Sequence, residues 1–183
     1  MADTDRLEAL KAAVLCDAGA LGLQWGRDDG VLVPRAAVLA EAREWIGTKF
    51  MHQQETKGVA VDCGGLIRGV SVALGLLPEN YRKLMPAALH GYGRQPSGDL
   101  GECLCNHYWT RIPLDAIQPA DVLLFRWHGG PAQHAGFVAD APHQGRFNII
   151  HSLNFIPNMV CEHGLDDKWS KRAIAAYQLP GVA

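Results

Sequence analysis

The hydrophobic period changes partway along the chain, and this change limits the folds that the chain can adopt. After Cys63, apolar residues recur at steps of three and four from Leu66 to Leu77, which indicates an amphipathic helix with one buried face. In the last third, short apolar and aromatic segments alternate with turn residues, a pattern typical of strands. Helices followed by a run of strands predict an α+β fold with a central antiparallel sheet.

The predicted elements divide the chain into an extension and one domain. Strands are predicted at residues 121–127, 134–140, 147–151, 159–162 and 172–179, and a further helix at residues 35–46. Pro34 suits the first position of that helix, and Gly47 is its stop signal. Residues 1–33 are predicted to be an N-terminal extension of unknown role, and residues 34–183 to form the domain.

Composition and charge exclude several classes of function. Hydrophobic residues make up 48% of the 183 residues, as in soluble globular domains, and 17 basic against 19 acidic residues give a net charge of 17 − 19 = −2. This balance gives no reason to expect a nucleic-acid partner. No apolar run approaches the roughly 20 residues that cross a bilayer. The acidic start, Met1 to Asp5, is unlike a signal peptide, so we expect synthesis in the cytoplasm and no membrane insertion.

Cys63 is the candidate nucleophile because of its position at the start of a helix. Asp62 suits the N-cap, and the unpaired N–H groups and the helix dipole at this end favour a thiolate. Gly64 and Gly65 leave room for a substrate carbonyl, whose oxyanion the same N–H groups would stabilise. These glycines weaken a helix by about 1 kcal/mol each, so helix stability does not explain them. The competing interpretation is a small buried thiol without chemistry.

Two histidines are the candidate base and its orienting partner. If residues 141–144 form a hairpin loop, Asp140 pairs with Gly145 and paired residue numbers sum to 285, as do those of His134 and His151. The two imidazoles would then project from the same face, with Cβ atoms about 4.5–5.5 Å apart. We predict that His134 accepts the thiol proton and that His151 orients it. The alternative for each is a structural or surface histidine.

These residues resemble one known family. The stretch Val61–Ile67, followed by His134–Val138 and His151, is similar to the NlpC family of papain-like cell-wall peptidases, especially the version in phage tails and gene-transfer particles. The resemblance covers about residues 35–181. Other matching stretches are Trp45–Thr48, His52–Gln53, Lys57–Val59, Arg68–Val70, Asp121–Arg126 and Leu179–Gly181.

The resemblance implies a fold, an activity and a setting. The fold would be papain-like, with helix-borne Cys63 as nucleophile, His134 as base and His151 as third polar residue. The activity would be that of a cysteine endopeptidase that cuts peptide or isopeptide bonds next to D-glutamate and diaminopimelate in peptidoglycan stem peptides. Asp62 matches the acidic residue associated with the free amino end of the stem. A phage-tail member would thin the cell wall during DNA entry or belong to tail assembly, with other tail proteins as partners. No cofactor is expected.

Two positions depart from the family pattern. Gly64 stands where many relatives have serine, and Phe50 stands where many have tyrosine. Each change removes a hydroxyl that could bond the substrate or its oxyanion. The resemblance therefore predicts the type of reaction better than it predicts the preferred substrate.

Three other functions compete with this interpretation. Cys103, Cys105 and His107 would share one face of a strand and, with Cys161 or His163, could ligate zinc. A papain-like domain could instead be a catalytically inert tail component. The same cysteine and histidine could also serve an amidase or acyltransferase.

Overall fold

The computed structural model describes residues 23–84, 100–127, 129–141 and 146–183. Within these residues the helices are α1 Arg35–Arg43, α2 Cys63–Ala73, α3 Tyr81–Leu84, α4 Leu100–Tyr108 and α5 Asp167–Ser170. The strands are β1 Lys49–Phe50, β2 Glu55–Thr56, β3 Ala60–Val61, β4 Thr110–Ile112, β5 Val122–Phe125, β6 His134–Asp140, β7 Phe147–Ser152, β8 Val160–Gly164 and β9 Ala173–Gln178.

A six-stranded sheet in the order β4-β9-β5-β6-β7-β8 forms the centre of the molecule. Every neighbouring pair in it is antiparallel. The α+β class with a central antiparallel sheet is therefore confirmed, and each of the five predicted strands is present with small differences at its ends. Among the described residues, no helix has the length and apolar content to cross a membrane.

The sheet is covered on both faces. Alternate residues of a strand point to opposite faces, so Phe137 and Val138 of β6 pack into different clusters. On one face Phe137 packs with the apolar side of α2, including Leu66 and Val70. On the other face Val138 packs with Trp169 of α5. Helix α2, which begins at Cys63, is thus held by apolar burial against the sheet.

Helix α1 ends earlier than predicted. It stops at Arg43, and turn residues lead from there to Gly47, whose φ is +88°. Trp45 is buried, whereas Ile46, which a helix over residues 35–46 would place on the same side, is 47% exposed. The turn redirects the chain after α1, so the helical period that placed Ile46 on the buried side no longer applies.

The predicted register of the β6–β7 pair is wrong. Asp140 pairs with Phe147 and Phe137 with Ile150, so paired numbers sum to 287 and not to 285. The turn therefore contains two more residues than expected. A shift of one residue would have turned the side chains to the other face, but a shift of two preserves the face. His134 and His151 are thus diagonal neighbours on one face.

The segment around Cys105 is a helix and not a strand. It belongs to α4, in which residues two apart point to different sides, so Cys105 is buried while His107 is partly exposed. The predicted strand is therefore wrong, and Cys105 and His107 do not share one face; the side chain of Cys103 lies outside the part of the chain that the structure describes. Burial raises the pKa of the Cys105 thiol.

Part of the N-terminal extension packs on the domain. Val33 is buried and forms a bridge with Val182, and the Gly26 N–H donates to the Leu76 carbonyl at 2.9 Å. The division of the chain at residue 33 stays a prediction. Residues 1–22 of the extension, and residues 142–145 of the β6–β7 turn, lie outside the described residues.

Candidate active site

The N-terminus of α2 is held by the carboxylate of Asp62. This side chain is 2% exposed; its Oδ1 accepts from the Gly65 N–H at 2.7 Å, and its Oδ2 accepts from the Gln53 N–H at 2.7 Å. The first bond is the N-cap that the sequence predicts. The second joins the cap to the loop before α2, so Cys63 begins the helix from a doubly anchored position.

The two glycines after Cys63 have different structural reasons. A Cβ on Gly65 would lie 2.3 Å from the carbonyl oxygen of Gln54, and backbone cannot yield there. A Cβ on Gly64 would meet only the far end of the Arg68 side chain, at 2.9 Å. Gly65 is therefore required by close packing, whereas Gly64 leaves space that the Arg68 guanidinium occupies above the first turn.

Three histidines form a hydrogen-bonded chain across β6, β7 and β8. Nε2 of His134 lies 2.9 Å from Nδ1 of His151, and Nε2 of His151 lies 2.9 Å from Nε2 of His163. Nδ1 of His163 lies 2.9 Å from the carbonyl oxygen of Gly164. Gly136 permits this packing, because a Cβ there would lie 2.9 Å from Cβ of His151.

The Gly164 carbonyl sets the direction of this chain. A carbonyl oxygen only accepts, so Nδ1 of His163 donates to it, and in a neutral ring Nε2 of His163 is then the acceptor. His151 must therefore donate from Nε2 and accept at Nδ1, and His134 must donate from Nε2. The remaining nitrogen of His134, Nδ1, keeps its lone pair and is the one that can take a proton.

Cys63 lies against the beginning of β6. The backbone N–H of Ala135, the residue after His134, bonds the Cys63 sulfur and favours its thiolate. The charge of Asp62 acts on both groups, raising the pKa of Cys63 and that of His134. The thiol and the first histidine of the chain thus share Asp62 as a charged neighbour, and the thiol lies near the backbone beside His134.

Burial keeps this site neutral. It raises the pKa of Cys63 to about 11, with a further contribution from the Asp62 charge. It lowers the pKa of His134 to about 4 and that of His151 to about 2. The sequence predicts a thiolate favoured by the helix dipole. The structure differs because desolvation of the half-buried Cys63 thiol outweighs the N–H groups around it.

An aromatic wall packs on the histidine chain. The ring of Trp169 lies 4.6 Å from His151, 5.3 Å from His163 and 6.0 Å from His134, measured between centroids. Trp127 stacks on His134 at 5.7 Å with an interplanar angle of 24°. These rings restrict rotation of the imidazoles and exclude water from them, which accounts for the lowered pKa values.

Sequence reasoning named His163 only as a possible zinc ligand and did not place it in the histidine chain, and it missed Trp169. The predicted strand 159–162 stops one residue before His163, whereas β8 continues to Gly164. If the predicted strand had been extended by one residue, the alternation of side chains would have placed Cys161 and His163 on the same face. The contact of Trp169 with the histidines joins α5 to three strands, and local sequence carries no signal for it. The catalytic roles of Cys63, His134 and His151, and the substrate contacts of Asp62 and Gly64, stay predictions.

A cleft of about 390 Å³ opens beside this site. Its described lining residues are Phe50, Met51, His52, Asn154 and Asn158. His52 connects it to the α2 N-terminus, since its Nδ1 lies 3.7 Å from Oδ2 of Asp62. Asn154 follows β7, which carries His151, so the cleft lies between the nucleophile loop and the histidine strands.

Comparison with solved structures identifies similar folds. The NlpC/p60 domain of the peptidoglycan hydrolase SagA gives a TM-score of 0.51 at 18% identity, covering 80% of this chain and 100% of that one. A Staphylococcus aureus protein of the NLP/P60 family, described as similar to a lipoprotein, gives 0.50 at 15% identity, over 86% of this chain and 44% of that one. NlpC1 from Trichomonas vaginalis gives 0.52 at 16% identity, over 84% and 45%.

The fold is accordingly the papain-like α+β fold of NlpC/p60 domains. No family model matches the chain, and no curated protein matches it. The chain spans less than half the length of the Staphylococcus aureus and Trichomonas vaginalis proteins.

Proposed function

We propose that this protein is a cysteine endopeptidase that hydrolyses peptide or isopeptide bonds in peptidoglycan stem peptides. The observation that carries the proposal is the directed histidine chain, which leaves Nδ1 of His134 as a proton acceptor beside a cysteine at a helix N-terminus. The NlpC-type motifs around Cys63 and His134 support it, as does the similarity in fold to a domain of the peptidoglycan hydrolase SagA.

The chemistry begins from a neutral pair. His134 takes the Cys63 proton at Nδ1 as the sulfur attacks the substrate carbonyl, so no preformed thiolate is required. Backbone N–H groups at the α2 N-terminus stabilise the oxyanion. The His134 imidazolium, held by its Nε2–H bond to His151, then protonates the leaving amine. Water, activated by the same imidazole, releases the acyl group from sulfur.

The substrate lies in the cleft bordered by Phe50 and His52. The buried carboxylate of Asp62, beside Cys63, supplies the negative charge that attracts the free amino end of a stem peptide. Gly64 and Phe50 provide no hydroxyl at positions where many family members have one. Affinity for the stem peptide therefore depends more on charge and on the cleft asparagines, Asn154 and Asn158.

The cell-wall setting is that of a phage-like tail. The stretches Arg68–Val70 and Leu179–Gly181, which resemble the tail and gene-transfer-particle version of the family, support this part of the proposal. In that setting the protein opens the wall locally for DNA entry, and other tail proteins are its partners.

Digestion of purified peptidoglycan tests the activity. Fragments released by the wild type, by Cys63→Ala and by Cys105→Ala are separated and identified by mass. Cys105 is a buried cysteine of α4, so its variant controls for the loss of a thiol elsewhere. We expect release by the wild type and by Cys105→Ala and none by Cys63→Ala. Equal release by all three proteins would refute the mechanism, and the fragment masses identify the bond that is cut.

A further inference from the structure

A cluster of metal-ligating groups lies at the far end of the histidine chain. The ring nitrogens of His151 and His163 and the sulfur of Cys161 all lie within 4.8 Å of one another. Strand pairing creates the cluster, because His151 pairs directly with Cys161, and His163 follows Cys161 by two residues on the same face. Cys161 has no part in the mechanism above.

His163 is already oriented as a ligand. Its Nδ1–H donates to the Gly164 carbonyl, so the lone pair of Nε2 points to His151, 2.9 Å away. Metal-binding histidines commonly have such a bond from their second nitrogen to a carbonyl, which fixes the ring and its tautomer. Trp169 packs on both His151 and His163 and holds the two rings in place.

We propose that His151, Cys161 and His163 bind a divalent zinc-class ion. Two imidazoles and one thiolate are a donor set that zinc prefers, with bonds of about 2.0–2.1 Å to nitrogen and about 2.3 Å to sulfur. Binding requires the two imidazole nitrogens to separate by a few tenths of an ångström from 2.9 Å, and the Cys161 sulfur to approach them by up to about 1 Å from within 4.8 Å. A water molecule completes a tetrahedral site.

The bound ion switches the peptidase off by reversing the histidine chain; this consequence rests on the proposed function. A metal on Nε2 of His151 displaces the proton that this nitrogen donates, so neutral His151 carries its proton on Nδ1. Nε2 of His134 then accepts from it, and Nδ1 of His134 bears the proton. His134 can no longer accept the Cys63 proton. Both imidazoles stay neutral, because each loses its proton at Nε2 and carries one at Nδ1. The net release is therefore one proton, from the Cys161 thiol.

Metal binding is tested without reference to hydrolysis. Cobalt(II) is titrated into the full chain, and the thiolate-to-cobalt charge-transfer absorption is recorded, with zinc added to displace it. We expect one equivalent per wild-type chain, retained in Cys63→Ala and lost in both Cys161→Ala and His163→Ala. Circular dichroism verifies that each variant is folded. A band that persists in Cys161→Ala, or that disappears in Cys63→Ala, would overturn the proposal, since the ion would then bind elsewhere or at the nucleophile.

Inhibition is measured separately, with each protein compared to its own zinc-free rate of peptidoglycan digestion. Zinc should abolish release by the wild type and leave the rate of Cys161→Ala unchanged. Equal inhibition of both proteins would refute the switch. If no protein digests peptidoglycan, the proposed function fails while the cobalt titration still decides the metal site.

Discussion

Replacing His163 by lysine should impair catalysis through two intervening imidazoles. Lysine has three donors and no acceptor, so it cannot accept the bond that Nε2 of His151 donates to His163. The productive arrangement would then leave one donor of a fully buried His151 without its partner. The alternative arrangement reverses both imidazoles and puts a proton on Nδ1 of His134.

The size of the effect follows from that lost bond. An unsatisfied buried donor costs about 1–3 kcal/mol. Each 1.36 kcal/mol is a factor of ten, so the fraction of enzyme with the productive His134 tautomer falls about 5- to 150-fold. The loss should be in kcat, with little change in KM, because His163 orients the base through His151 and does not contact the substrate.

His163→Gln is the matched control, because a glutamine side chain still offers an acceptor to His151. Initial rates on isolated stem peptides give kcat and KM for both variants. We expect kcat of His163→Lys to be about 5- to 150-fold below that of His163→Gln. If the two variants had the same kcat, the direction of the histidine chain would not matter and the reasoning would be refuted.

Three further predictions concern charge. The pKa of His134 is lowered by burial from 6.5 to about 4, so the unfolded chain binds the proton first. The contribution of His134 to the free energy of unfolding should therefore be constant above about pH 6.5 and fall by about 3 kcal/mol towards pH 4. Denaturant titration at several pH values should find a smaller loss in His134→Ala. Arg35→Ala leaves Asp121, which is 1% exposed and bonded to Arg35 at 2.6 Å, without its cation. The free energy of unfolding should fall by about 3 kcal/mol, whereas loss of an exposed ion pair would lower it by less than about 1 kcal/mol. Asp62→Asn retains an N-cap acceptor but loses the charge. KM should rise about tenfold for stem peptides with a free amino end and much less for acetylated ones; an equal rise for both would exclude the ammonium contact.

The order of hydrophobic periods predicted the architecture from the sequence alone. The helix after Cys63, the N-cap at Asp62 and the five strands depend on neighbours within a few residues, and each is found in the structure, although the helix ends at Ala73 and not at Leu77. His134 and His151 were predicted to be neighbours from one assumed turn. The assumption was wrong by two residues, but the pairing kept the same face because side chains in a strand alternate with a period of two.

Only the tertiary structure decided the electrostatics of the site and the length of the histidine chain. The helix dipole is readable from position, but the desolvation that keeps Cys63 and His134 neutral depends on what packs around them, including Trp127 and Trp169. His163 joins the chain because β8 pairs with β7 in one register, and the Gly164 carbonyl then sets every proton in it. Local sequence specifies the elements, whereas burial and strand register, which arise from contacts distant in sequence, determine which nitrogen can accept a proton.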